Sequence, residues 1–172
     1  MQYLYHSILK LLNFIDFAVS LDKINKLIIL TILFYLIMER KLIFFVDDEK
    51  VILNLLEYTF SSRDGYEVKT FSSGEECVEH LEMKPDLVVL DHMLASKNQS
   101  DWTGLDVLKK IRVKFTDIPI FILSGVQEED LIEDYYANGA TKYITKNSFF
   151  IDSLIDEIKK ELSPNSSAPK SV

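Results

Sequence analysis

Between residues 41 and 162, short apolar runs alternate with segments of helical spacing, and this order limits the folds open to the chain. The predicted strands, each five or six residues long, are 41–46, 66–71, 86–90, 118–123 and 141–145. The predicted helices are 51–63, 73–83, 105–113, 128–137 and 148–162. A helix between successive strands lets those strands run parallel, and largely continuous apolar strands have both faces covered. The sequence therefore predicts an α/β fold in which five parallel strands lie between two layers of helices.

The first 37 residues differ in composition from the rest of the chain. They contain no Gly, Pro or Glu, and their three Lys and two Asp give a net charge of +1. The remainder must therefore carry −9 to reach the chain total of −8. We divide the chain into an apolar N-terminal extension (1–37), a compact domain (38–163) and a Ser/Pro-containing tail (164–172), which we expect to be disordered.

Three interpretations of the extension stay open. Its uncharged run from Leu27 to Met38 covers about 18 Å as a helix, which is short of the roughly 30 Å of a bilayer core. The stretch from Leu4 to Val19 has amphipathic spacing and could lie on a membrane or pair with a partner. Translation could instead begin at Met38, or the segment could be a packed extension. We expect membrane association only if residues 1–37 belong to the protein.

Net charge and cysteine content narrow the classes of function. The net charge of −8 argues against a nucleic-acid surface, because phosphate binding needs a local excess of Lys and Arg. Cys77 is the single cysteine, so the sequence allows no internal disulfide, and this fits a reducing compartment. We therefore expect a cytoplasmic protein that does not contact nucleic acid directly.

Charged and hydroxyl side chains follow the predicted strands at the points where those strands end. Asp47 and Asp48 follow the first strand, Asp91 the third, Ser124 the fourth and Lys146 the fifth. In such sheets ligands bind at the carboxyl ends of the strands, so these side chains should meet in one crevice. Three carboxylates in one crevice need a cation, and hard oxygen ligands suit Mg²⁺. With a lysine and a hydroxyl nearby, the pattern predicts Mg²⁺-assisted phosphoryl transfer onto an aspartate.

The domain carries five motifs in a fixed order. They are Phe-Phe-Val-Asp-Asp-Glu (44–49), Leu-Val-Val-Leu-Asp (87–91), Gly-Leu-Asp-Val-Leu-Lys-Lys-Ile-Arg (104–112), Ile-Phe-Ile-Leu-Ser-Gly (120–125) and Asn-Gly-Ala-Thr-Lys-Tyr-Ile-Thr-Lys (138–146). From about Lys41 to Leu162 the chain resembles the receiver domain of two-component response regulators. The resemblance implies a CheY-like or flavodoxin-like sheet with strand order 2-1-3-4-5 and helices on both faces.

The resemblance also implies roles for individual residues at the metal site. Asp91 is the phosphoacceptor. Asp47 and Asp48 hold Mg²⁺ together with Asp91, and Asp48 is a closer ligand than Asp47. The backbone carbonyl of Met93 completes the metal site. A receiver of this kind catalyses its own phosphorylation and dephosphorylation at Asp91, without a separate enzymatic output domain.

Three further residues are implied to respond to the phosphoryl group. Ser124 bonds one phosphoryl oxygen, and Lys146 pairs with another. Tyr143, three residues before that lysine, matches the switch aromatic of the family. On phosphorylation Ser124 moves towards the phosphoryl group, Tyr143 swings inwards, and the surface formed by the fourth helix and the fifth strand changes with them.

The chain departs from the family pattern after the phosphoacceptor and after the lysine. Leu94 stands where proline is usual, and residues 95–102 lengthen the next loop, which we interpret as a tolerated surface insertion. Asn147 replaces the usual cis proline. A cis bond before a non-proline residue costs about 3 kcal/mol, so we expect a trans bond and a less precise aim of Lys146. His92 should point away from the face of Asp91 and make a contact under the loop.

The leading hypothesis is a stand-alone receiver, because the ten residues after Leu162 leave no room for an output domain. The expected partners are a histidine kinase or histidine phosphotransfer protein, a downstream effector protein, and a second copy of the chain in a phosphorylation-dependent homodimer. One alternative is a degenerate receiver that is never phosphorylated and acts as an interaction module. Another is a phosphatase or phosphotransferase of the haloacid-dehalogenase type, which needs a second Asp where Met93 stands.

Overall fold

The computed structural model describes residues 25, 27–32, 40–94 and 102–163, and the chain divides into two compact units, Met1–Glu39 and Arg40–Val172. The described residues of the first unit are helical, and Leu27, Ile28 and Leu30 are more than half exposed. Within the described ranges, no helix is both long enough and apolar enough to span a bilayer. The predictions for the rest of 1–37, for most of the loop 95–102 and for the tail 164–172 lie outside the described residues.

The second unit has the predicted alternation of strands and helices. Its strands are β1 (Lys41–Val46), β2 (Tyr66–Phe71), β3 (Leu87–Asp91), β4 (Ile120–Ser124) and β5 (Lys142–Thr145). Its helices are α1 (Lys50–Ser61), α2 (Gly74–Glu79), α3 (Gly104–Lys114), α4 (Glu129–Ala137) and α5 (Phe150–Glu161). The strands form one sheet in the order β2-β1-β3-β4-β5, with every neighbouring pair parallel. The predicted α/β class and strand order are confirmed.

Two predicted boundaries differ from the structure for identifiable reasons. The helix predicted over 73–83 breaks into α2 and a short 3₁₀ turn, Leu81–Met83, which ends at Lys84 in a left-handed conformation with φ of 56°. The α conformation is disfavoured for a residue that precedes a proline, and Pro85 follows here. The strand predicted from residue 118 begins at Ile120, because Pro119 has no N–H to donate to a neighbouring strand.

The hydrophobic core lies in two layers, one on each face of the sheet. Alternate strand residues, such as Phe44, Val88 and Ile120, pack with side chains of α2, α3 and α4. Their neighbours in sequence, such as Phe45 and Val89, pack on the other face with α1 and α5. Because helices cover both faces, the open edge at the carboxyl ends of the strands is where polar side chains can gather.

Candidate functional site

The residues predicted to carry the chemistry lie together at the carboxyl edge of the sheet. Asp47 directly follows β1, Asp91 ends β3, Ser124 ends β4, and Lys146 directly follows β5. Asp47, Asp91 and Ser124 are each at most 5% exposed, and they are buried polar residues in an apolar surrounding. β3 lies between β1 and β4, and all three strands are parallel, so their carboxyl ends lie side by side at one edge of the sheet.

Three carboxylates at this edge are close enough to share a cation. Asp47, Asp48 and Asp91 each offer an oxygen, and these oxygens lie within 4.8 Å of one another. Asp47 and Asp91 are buried and Asp48 is half-buried, so the three carboxylates are open to solvent on the side of Asp48. Burial of like charges is unfavourable without a counterion, and an all-oxygen donor set of this kind suits Mg²⁺. The residues therefore fit the predicted metal.

Lys146 joins two of these carboxylates. Its Nζ lies 2.7 Å from Asp47 Oδ2 and 2.7 Å from Asp91 Oδ1. Burial lowers the pKa of the Lys146 ammonium, but the hydrogen bonds and charges of the two aspartates outweigh this and raise the pKa. The described residues contain no cis peptide bond, so the bond to Asn147 is trans as expected. The long lysine side chain reaches both carboxylates from this trans backbone.

Asp91 is held in an environment that opposes its ionisation. Burial raises its pKa to about 6, against the opposing effects of Lys146 and of a backbone hydrogen bond. That hydrogen bond is donated by the Met93 amide to Asp91 Oδ2 at 3.1 Å. Asp91 therefore carries a negative charge at neutral pH although the fold makes this charge costly.

Ser124 and Tyr143 are linked through the loop that follows β4. The backbone amide of Val126 donates to Ser124 Oγ at 3.0 Å, and the Tyr143 hydroxyl donates to the Val126 carbonyl at 2.8 Å. The Ser124 hydroxyl also interacts with the Tyr143 hydroxyl, and its hydrogen could instead be donated to a group bound at Asp91. Burial raises the pKa of the Tyr143 phenol, which keeps the hydroxyl protonated. The Tyr143 side chain, from β5, thus contacts the loop that follows Ser124.

The side chain of His92 makes a contact that the sequence only partly indicated. Its predicted orientation away from Asp91 led us to expect a contact under the 95–102 loop. In the structure, His92 Nδ1 lies 2.8 Å from the hydroxyl of Tyr135 on α4, with the two rings edge to face at 5.7 Å. Tyr135 is completely buried and was missed by the sequence analysis. The available signal was its position four residues after Leu131, which predicts a shared inward face of α4.

Gly104 allows the first turn of α3 to approach the end of β3. A capping box starts this helix, since Thr103 Oγ accepts from the Asp106 amide and the Asp106 carboxylate accepts from the Thr103 amide. A Cβ at Gly104 would lie 2.3 Å from the carbonyl oxygen of Asp91 and 3.0 Å from the Tyr135 hydroxyl. The glycine is therefore required by close packing at the carboxyl end of β3.

We expect Gly104→Ala to lower the free energy of unfolding by about 3 kcal/mol, because the added methyl meets backbone atoms that cannot move aside. Urea unfolding followed by circular dichroism measures the change. Gly125→Ala is the matched control, since a Cβ there would meet no atom within 4 Å, and its expected effect is within about 0.5 kcal/mol. Equal stability of the two variants would contradict the packing argument.

Comparison with protein families identifies the same region of the chain. Residues 43–159 match the model of the response regulator receiver domain. A curated relative, the alkaline phosphatase synthesis transcriptional regulatory protein PhoP of Bacillus subtilis, is 40% identical over 108 residues. The matched region covers 62% of this chain and 42% of PhoP, so the chain spans about two fifths of that relative's length.

Solved structures give the same result for the fold. The response regulator DrrB of Thermotoga maritima, an OmpR/PhoB homologue, is 27% identical with a TM-score of 0.62, over 72% of this chain and 52% of DrrB. The phosphorylated cyanobacterial phytochrome response regulator RcpA is 26% identical with a TM-score of 0.62, over 76% of this chain and 99% of RcpA.

Proposed function

Since the chain belongs to the response regulator receiver domain family, we propose that it accepts a phosphoryl group on Asp91 and signals by changing its protein contacts. The observation that carries this proposal is the placement of Lys146 Nζ between Asp47 and Asp91, at 2.7 Å from each. This places a fixed positive charge beside a buried carboxylate that opens towards solvent through Asp48. Such an arrangement suits an anionic group transferred to that carboxylate.

Mg²⁺ is the proposed cofactor. Asp47, Asp48 and Asp91 would hold it through the oxygens that lie within 4.8 Å of one another, with the Met93 carbonyl as a further ligand. When bound, the ion supplies positive charge that neutralises the oxygens of the incoming phosphoryl group. Because the three carboxylates offer hard oxygen donors, a softer metal is a poorer fit.

The proposed reaction uses a phosphohistidine as the donor. An Asp91 carboxylate oxygen bonds to phosphorus while the phosphorus–nitrogen bond breaks and the imidazole nitrogen keeps the electron pair. Lys146 pairs with one phosphoryl oxygen, and Ser124 donates its hydroxyl hydrogen to another. The proposed partner is therefore a histidine kinase or a histidine phosphotransfer protein, in the cytoplasm.

The proposed output is a change at the surface of α4 and β5. Ser124 and Tyr143 both bond Val126, so a movement of Ser124 towards the phosphoryl group moves the loop on which Tyr143 rests. An effector protein or a second phosphorylated copy is the proposed reader of that surface. PhoP is named a transcriptional regulatory protein, but most of PhoP lies outside the matched region, so its whole activity is not transferred to this chain.

The test is the intact mass of the protein after incubation with Mg²⁺ and a small phosphoramidate donor. We expect a gain of one phosphoryl group that EDTA prevents and Asp91→Asn abolishes. Asp64→Asn, which alters an exposed aspartate in the turn after α1, is the control and should keep the gain. A folded protein that gains nothing from this donor or from a phosphorylated phosphotransfer domain would instead support an unphosphorylated interaction module.

A further inference from the structure

We propose that the hydrogen bond between His92 and Tyr135 positions the phosphoacceptor turn, residues Asp91 to Met93, and so tunes the site for its metal and its phosphoryl group. This inference rests on the function proposed above and adds two positioning residues to it. Neither side chain is proposed to touch the phosphoryl group, because His92 and Tyr135 bond each other, whereas the Asp91 carboxylate bonds Lys146 and the Met93 amide. The pair acts through the backbone.

The backbone of His92 is fixed at both ends. Its amide donates to the Leu123 carbonyl of β4 at 2.9 Å, and its carbonyl accepts from the amide of Gly104 in α3 at 3.1 Å. The side chain adds a third attachment, to Tyr135 of α4 at 2.8 Å. One residue is therefore bonded to three different elements, directly after the phosphoacceptor.

This attachment bears on Asp91 through the next residue. The amide of Met93 donates to Asp91 Oδ2, while Lys146 holds Oδ1, so the orientation of the carboxylate depends on the turn as well as on the lysine. A rotation of the His92 residue would move the Met93 amide and carbonyl together. The proposed metal ligands Asp91 and Met93 are thus separated only by the residue that Tyr135 anchors.

Tyr135 is a suitable anchor because its own position is strongly restricted. It is completely buried, and its hydroxyl lies against the first turn of α3, where even a methyl group at Gly104 would come within 3.0 Å of it. Its ring also lies 5.8 Å from that of Tyr143. A buried hydroxyl needs a partner, and His92 supplies one. The same side chain therefore contacts both the phosphoacceptor turn and the proposed switch residue.

The experiment uses Tyr135→Phe, which removes the hydroxyl and keeps the ring, and His92→Leu as its reciprocal. We expect Tyr135→Phe to weaken Mg²⁺ binding about tenfold by titration calorimetry. The backbone amide resonance of Met93 should shift in the metal-free protein, as a direct report on the turn. The double variant should bind Mg²⁺ no more weakly than the weaker single variant, because both remove the same interaction. Tyr58→Phe, which removes the hydroxyl of a tyrosine on α1 that is 78% exposed, should match the wild-type protein.

The outcomes separate this inference from the proposed function. If folded Tyr135→Phe keeps the wild-type Mg²⁺ affinity and an unshifted Met93 resonance, the pair only stabilises the fold and the inference is overturned. Additive losses in the double variant would overturn it as well, since the two residues would then act independently. If the wild-type protein is never phosphorylated, the proposed function fails, while the Met93 resonance in the variants still decides whether the pair positions the turn.

Discussion

Lys146→Met is expected to slow phosphorylation of Asp91 by about 10²–10³-fold, which is the range for removing one preorganised charge from a transferring group. The substitution keeps a long apolar side chain but removes the ammonium that lies 2.7 Å from both Asp47 and Asp91. The transferring phosphoryl group then meets the buried Asp91 carboxylate without the ammonium charge that would stabilise its oxygens. The measurement is the initial rate of mass gain with a phosphoramidate donor at saturating Mg²⁺.

The same variant should be less stable, by about 3 kcal/mol, because the two buried carboxylates lose their partner. Rates are therefore compared on protein shown to be folded by circular dichroism. Lys142→Met is the matched control, since this lysine belongs to β5, the strand that Lys146 follows, but pairs with Glu157. A partly exposed ion pair of this kind contributes about 0–1 kcal/mol, and the control should keep the wild-type rate. If Lys146→Met were phosphorylated at the wild-type rate, the Lys146 ammonium would have no role in the transfer, and the main support for the proposed function would be lost.

The position of the site was predictable because it follows from local features of the sequence. Each apolar run stops at a charged or hydroxyl residue, and parallel strands bring those stops to one edge. Asp47, Asp91 and Lys146 could therefore be placed together before any contact was known. The orientation of the lysine could not, since the argument from the missing proline concerned the backbone, while four methylene groups of side chain decide where Nζ lies.

The contact between His92 and Tyr135 was beyond the reach of strand and helix patterns. The alternation of β3 predicts that His92 points away from Asp91, but it does not say which element its side chain contacts. Its partner Tyr135 is 43 residues further along the chain. The position of Tyr135 depends on how α4 packs against the sheet, which the sequence pattern does not specify. Periodicity assigns a residue to a face, whereas a side-chain hydrogen bond across elements depends on the final packing of the core.

Asp91→Asn is expected to raise the free energy of unfolding of the metal-free protein by about 2–3 kcal/mol at pH 7.5. Burial raises the folded-state pKa of Asp91 to about 6, from an ordinary value of 3.8. A difference of roughly two in pKa corresponds to about 3 kcal/mol by which the folded state disfavours the charged form. Asparagine resembles the neutral form and carries no such penalty.

The sign of the pH dependence follows from the same difference. Between about pH 4 and pH 6 the folded wild-type protein keeps a proton on Asp91 that the unfolded chain has lost, so its stability falls as pH rises through this window. Below the window Asp91 is neutral in both states, and the advantage of the variant should disappear. Above it the advantage should be complete. Urea unfolding of both proteins in EDTA, from pH 4 to pH 8, measures the difference directly.

Glu49→Gln controls for the loss of a negative charge near the site, because Glu49 is exposed and lies outside the carboxylate group. Its expected effect is within about 0.5 kcal/mol at every pH. An Asp91→Asn variant that is less stable than wild type at pH 7.5, or whose advantage does not change with pH, would contradict the argument.

Mg²⁺ should reduce the difference in stability between the two proteins, because it binds the folded wild-type protein more tightly than the variant. On the proposed function, the charge at Asp91 that destabilises the fold is the same charge that would attract the cation and accept the phosphoryl group.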